Sequence, residues 1–241
     1  MPFLDQAVLN NAQWCDAVCR AHAAPGHFAS SAWVNTNKTP PLYPNMVTTT
    51  AHDVASQLKT VELLIEAGSD FPHAVKDSFN NLDLVQLGFM QLFDAQWYAR
   101  APVPIPENLL GKAGHWQCLS TEPELVAWEK AWRQAGEQED ILETPMFPAK
   151  LLGDLGVIFL ASKNANTISA GAIAYEASGV VGITNFFSKL NDSINQFAAC
   201  LNKLHTGNPE ATIVGYEREH TLSEYSGLNL QPLGPLRVWL R

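Results

Sequence analysis

The chain is poor in features that mark metal, nucleotide or nucleic-acid chemistry. Its seven histidines (His22, His27, His52, His73, His115, His205, His220) show no HxxxH or HxH spacing, so no zinc site is expected. It has no Gly-x-Ser-x-Gly elbow, P-loop or dinucleotide fingerprint. Its four cysteines, Cys15, Cys19, Cys118 and Cys200, form no CxxC pair. Cys15 and Cys19 fall one turn apart on a predicted helix, and free thiols in a reducing cytoplasm are the expectation. Basic runs are missing, and the formal charge of −9 argues against a polyanion partner such as nucleic acid. The seven tryptophans are not interleaved with basic residues as in a base-stacking platform. Met1 to Asp5 is neither basic nor followed by an apolar core, and no run approaches the roughly 18 apolar residues of a membrane span. A cytoplasmic chain without a membrane partner is therefore expected.

What the sequence does contain is a repeat. Val75-Lys76-Asp77-Ser78-Phe79 leads into Leu82 to Phe89 and an aromatic strand closing at Trp97-Tyr98-Ala99-Arg100. Near the C-terminus, Val214-Gly215-Tyr216-Glu217-Arg218 leads into Leu222 to Leu228 and closes at Leu236 to Arg241. Each copy reads as strand, short helix, glycine turn and long strand. Each has a matching start: Met46 to Thr50 before a helix from Asp53, and Gln117 to Thr121 before one from Glu122. A repeat of half the chain indicates duplicated α/β units, because a solenoid needs at least about three copies.

The first helix is expected from about Phe3 to His22, ended by Pro25-Gly26. Thr39 to Asn45 holds three prolines and reads as stiff and extended. Thr50 with Asp53 resembles a capping box, and Val54, Leu58, Val61 and Ile65 share a helix face. Ala101 to Gly114, rich in proline, reads as the linker. Beyond it, Thr121 and Glu124 form a capping box, Glu137 to Glu143 an acidic loop, and Pro145 to Asp154 a short helix. Gly156–Leu160, Ile168–Tyr175 and Val180–Phe186, joined by short polar turns, predict an antiparallel meander. Gly171, Gly179 and Gly182 read as meander geometry. A helix from Asp192 to about Leu204 and a strand from Ala211 to Glu217 follow.

The order β-α-α-β-β-β-α-β-α-β over Trp116 to Arg241 is similar to the GNAT superfamily of acyl-CoA-dependent N-acyltransferases. The residues that carry the resemblance are Ile168 to Phe187, Ala211 to Glu217 and the Gly227-Leu228 turn. The first half resembles a truncated copy, with Gly88-Phe89 at its own ending. The resemblance implies an α/β fold with a mixed sheet in a tandem GNAT-like branch. An abridged lobe would occupy residues 1–100, a linker 101–114 and a complete lobe 115–241, the lobes packed through their sheets.

The resemblance also implies acetyl-CoA or another acyl-CoA as co-substrate. Its pantetheine would slot between the strands Val180–Phe187 and Ala211–Glu217, with Asn185, Phe186, Phe187, Ser188, Lys189, Asn191 and Ser193 as cofactor-binding residues. The family's loop pattern, Arg/Gln-x-x-Gly-x-Gly/Ala, is not kept: Ser188 to Ser193 has no glycine, and Asp192 places a negative charge there, which Lys189 offsets in part. Glu217 takes the position of a base, or else of a surface carboxylate paired with Arg218 or Lys203. The family's tyrosine acid falls on Ser223. Tyr225, only two residues before Gly227, faces about 160° away on a helix and is either a substitute acid or a packing residue. Tyr43 and Asn45, on the proline-rich stretch, and Lys76 and Asp77, at the matching strand end, are candidate substrate contacts. Tyr43 and Asn45 equally read as a stiff lead-in to a strand, and Lys76 and Asp77 as groups that satisfy each other. The activity implied is acyl transfer to a small amine or peptide amine. A catalytically silent ligand-binding sensor and a scaffold are the alternatives, and a homodimer is compatible with each.

Overall fold

A computed structural model describes residues 2–68, 70–110, 114–136, 144–164 and 167–241. Helix α1 (Phe3–Ala21) opens the chain, followed by strands β1 (His27–Phe28), β2 (Ala32–Val34) and β3 (Met46–Thr48). Helix α2 (Val54–Glu66), β4 (Ala74–Asp77) and the long β5 (Met90–Arg100) complete the first half. A short α3 (Glu107–Leu110) leads to β6 (His115–Cys118) and α4 (Glu122–Ala135). The meander β7 (Val157–Asn164), β8 (Thr167–Ala177) and β9 (Val180–Ser188) is followed by α5 (Ser193–Gly207) and β10 (Ile213–Glu217). The chain closes with α6 (Glu219–Glu224) and β11 (Gln231–Leu240).

Among the described residues, eleven strands join one sheet in the order β1-β2-β3-β4-β11-β5-β10-β9-β8-β7-β6. Its centre is an exchange. The final strand of the first half, β5, pairs antiparallel with β10 of the second half. The final strand of the second half, β11, pairs antiparallel with β4 of the first. The two exchanged strands then pair with each other from Gln231↔Ala99 to Leu240↔Met90. The halves are therefore joined by backbone hydrogen bonds through crossed strands rather than by two sheets packed together.

Alternation along the strands sorts the helices onto two faces. Phe159, Ala161, Ile168 and Ile173 share a core with Trp14 and Val18 of α1 and Trp128 of α4. Leu160, Ala170, Ala172 and Ala174 face the other way, against Phe197, Ala198 and Leu201 of α5. Strand β8 is buried on both faces and is correspondingly apolar. Close packing excludes a side chain at Gly171 and Gly182, where the helices meet the meander. A Cβ on Gly171 would strike the Trp128 indole, and one on Gly182 would strike the Asn10 amide. That amide donates to Tyr175 O at 2.8 Å and Ala177 O at 3.2 Å, tying α1 across the β8–β9 turn.

Several local expectations change. Asp53 adopts φ +67° with no capping hydrogen bond, so α2 begins without a capping box. Thr121 and Glu124 do form one, Glu124 accepting from Thr121 N at 3.3 Å. The short helix foreseen over Pro145 to Asp154 is a 3-10 turn, Ala149–Gly153. The linker carries α3, and Ile105 is buried in the cluster around Phe197. The acidic loop Glu137 to Glu143 lies outside the described residues. Among the described residues no helix is long and apolar enough to cross a membrane, and no three His, Cys, Asp or Glu side chains come together as a metal site.

Candidate active site between parted strands

Strands β9 and β10 run parallel but pair only at Val181↔Ile213 and Gly182↔Val214. Two constraints pull them apart. Asn185, at φ +52°, begins a bulge. The β8–β9 register slips from Ile173↔Thr184 to Gly171↔Phe187, bending β9 toward β8. On the other side β10 stays in register with β5 through Gly215↔Tyr98, Tyr216↔Trp97 and Glu217↔Gln96. The gap opens into a cavity of about 690 Å³ that reaches the proline-rich segment around Tyr43.

Phe186 and Asn185 line this cavity. Phe186 rests edge-on against Phe197, with ring centroids 4.8 Å apart. Phe187 turns away and packs on Trp128 in the core. Neither aromatic side chain closes the gap. The loop beyond is held by its own contacts. Leu190 N donates to Ser188 Oγ at 3.2 Å, and Lys189 N donates to Ser169 O at 2.8 Å. Lys189 Nζ donates to Gln134 at 2.6 Å, so its charge is directed toward α4. Asn191 is exposed. Asp192 accepts from Asn195 Nδ2 and leaves the first turn of α5 without a side-chain cap.

Glu217 ends β10 at the cavity wall. Burial pushes its carboxyl up to about 7, against the opposing pull of the Arg218 backbone N–H and charge. It makes no ion pair among the described residues. Arg218 lies over the Phe93 ring, 5.3 Å from its centroid. Tyr225 is buried, stacked on Phe197, with its hydroxyl 2.8 Å from Ser193 Oγ. Burial pushes its phenol up to about 12. Tyr225 and Ser193 thus engage each other, and neither lines the cavity.

A different tyrosine does. Tyr98 of β5 is almost fully buried, and a Cβ on Gly215 would fall 2.5 Å from its hydroxyl. Burial, then the neighbouring Glu217, holds its phenol well above the ordinary tyrosine range. Tyr98 belongs to the first half and reaches this site only because β5 is exchanged. Trp97-Tyr98 stands out in the sequence as an aromatic strand end, but its neighbour across the sheet is not written there.

The four candidate substrate residues separate. Tyr43 and Lys76 line the cavity. Asn45 is a buckle of its loop, donating to Asn35 O and Asn37 O at 3.0 Å and accepting from Ala74 N. Asp77 is buried and accepts from Leu82 N at 2.7 Å and Phe79 N at 3.4 Å, ordering the turn after β4.

No protein-family model and no curated protein matches the chain. Solved structures do. A GCN5-related N-acetyltransferase from Kribbella flavida aligns with TM-score 0.61 and 13% identity, over 97% of this chain and 94% of that one. A functionally unknown conserved protein from Staphylococcus epidermidis ATCC 12228 gives 0.59 and 11%, over 89% and 92%. A GCN5-related N-acetyltransferase from Sphaerobacter thermophilus gives 0.56 and 9%, over 81% and 70%. At such identities the likeness is one of fold: the chain has the mixed α/β topology of the GCN5-related N-acetyltransferases.

Proposed function

We propose that the protein is an acyl-CoA-dependent N-acyltransferase in which the thioester arm lies between β9 and β10. The observation that carries this reading is the parted strand pair, opening into a cavity with Glu217 at its wall. A thin pantetheine arm fits the unpaired edges beyond Gly182 and Val214. The pyrophosphate falls to the uncapped N–H groups of α5, since Lys189 N and Leu190 N are already bonded. Glu217, near neutrality, takes a proton from the attacking amine. The C–N bond forms and the C–S bond breaks, while backbone N–H groups freed by the bulge face the oxyanion. Tyr98 gives its phenolic proton to the departing thiolate and regains one from the neighbouring Glu217, so the proton lost by the amine ends on the thiol.

A second reading, a sensor that binds acyl-CoA without turnover, is favoured by the glycine-free loop and by the engagement of Tyr225 with Ser193. Release of free thiol from acetyl-CoA, measured over a panel of amines, decides between the two. The transferase reading expects release, reduced roughly 10²- to 10⁴-fold in Glu217→Gln. CoA binding without release from any amine supports the sensor.

A further inference from the structure

Lys76 of β4 is 5% exposed and lines the cavity on the side of α1. Its Nζ donates to Asn11 Oδ1 at 2.8 Å and to the Tyr216 hydroxyl at 3.2 Å, and lies 4.6 Å from the Tyr216 ring centroid. It forms no ion pair with a carboxylate among the described residues. An ammonium has three donors, of which two are placed, and a buried charge without a counter-charge is costly. Glu217, the one carboxylate that lines the cavity among the described residues, follows Tyr216 on β10 and so projects from the opposite face of the sheet. Tyr43 adds a second buried polar group: among the described residues its hydroxyl makes no well-formed hydrogen bond, only a contact with the Trp14 indole. The surrounding wall is largely apolar, with Trp14, Leu92 and Phe93; a second lysine, Lys38, also lines the cavity but is exposed to solvent, so Lys76 is the cation buried within it.

We propose that Lys76 is the counter-ion for a carboxylate of the bound acceptor. The substrate would then be an amine that also carries a carboxylate, the two set apart by an apolar body because Lys76 and Glu217 lie on opposite faces of the sheet, rather than a simple amine or polyamine. This rests on the transferase reading for the fate of the amine, but the anion site stands on its own geometry.

The test is calorimetric titration, without CoA, of L-phenylalanine, 6-aminohexanoate and their amine-free counterparts 3-phenylpropionate and hexanoate. The carboxamide of each is titrated beside it. Binding by acids of this set, at least tenfold tighter than by their amides, is expected, and Lys76→Met should remove that preference while Lys76→Arg retains part of it. The acid–amide comparison on the unaltered protein does not depend on any variant folding. Equal binding of acids and amides, or no binding by any acid, overturns the proposal. So does a Lys76→Met effect confined to CoA affinity, which would make the anion a CoA phosphate. Binding of the amine-bearing acids with no thiol release from acetyl-CoA by these or any other amine of the panel would overturn the transferase reading and leave the carboxylate site standing.

Discussion

At the scale of single residues, the cavity sets two ionisable groups of opposite sign on opposite faces of one sheet. Lys76 keeps its charge among Asn11 and Tyr216, while the Glu217 carboxyl is pushed by burial from 4.5 up to about 7. The folded chain therefore binds a proton that the unfolded chain has released between those values. The stability contributed by Glu217 is fully present below pH 4.5 and is lost as pH rises through about 7. Urea unfolding of the native chain and of Glu217→Gln, at pH 5 and pH 8, reads this directly. The loss of stability between the two pH values should be smaller in the variant. An identical loss in both would mean that Glu217 titrates in its ordinary range. The residue-level chemistry was only partly open to inspection of the sequence. Glu217, Lys76 and Tyr43 stood out as polar or aromatic groups at strand ends or in a stiff loop. Asp77 and Asn45 stood out for the same reason, yet their side chains are consumed by turn and loop backbone. Polarity at a strand end does not distinguish a group facing a cavity from one satisfying its own turn.

At the scale of elements, the repeat was legible and its consequence was not. Periodicity located both strand–turn–strand endings, because alternation and turn residues are local properties. Which strand lies beside which depends on pairing across more than a hundred residues, for which no local signal exists. Hence β5 and β11 read as closing their own halves, whereas each closes the other. Arg100, at the end of β5, reinforces the crossing: its buried guanidinium donates to Leu228 O at 3.1 Å and to Val103 O at 2.6 Å, binding the linker to the turn before β11. Residues 1–100 and 101–241, produced separately, should each lack a central strand partner and expose unpaired edges on β4 and β10. Each fragment alone is expected to be aggregated or unfolded, and co-expression should recover a soluble one-to-one complex. A stable, monomeric 101–241 fragment with a cooperative melt would show that the exchange is dispensable. The bulge at Asn185 was equally hidden, since asparagine adopts left-handed φ without any sequence neighbour that demands it.

At the scale of the whole molecule, the exchange makes the site a joint product of both halves. Glu217 and the parted β9–β10 edge come from the second, and Tyr98, Lys76 and Tyr43 from the first. The N-terminal half is thus an integral wall of the cavity. The proposed activity requires that the gap between β9 and β10 admit the arm of an acyl-CoA. Titration of CoA into the native chain, repeated with Gly215→Leu, tests it most directly. A leucine there would collide with the Tyr98 ring and the Ile183 carbonyl, both of which line the cavity, and would force them into it. Saturable one-to-one binding to the native chain is expected, lost in a variant that still melts cooperatively. No binding to the native chain, or undiminished binding to the folded variant, would contradict it.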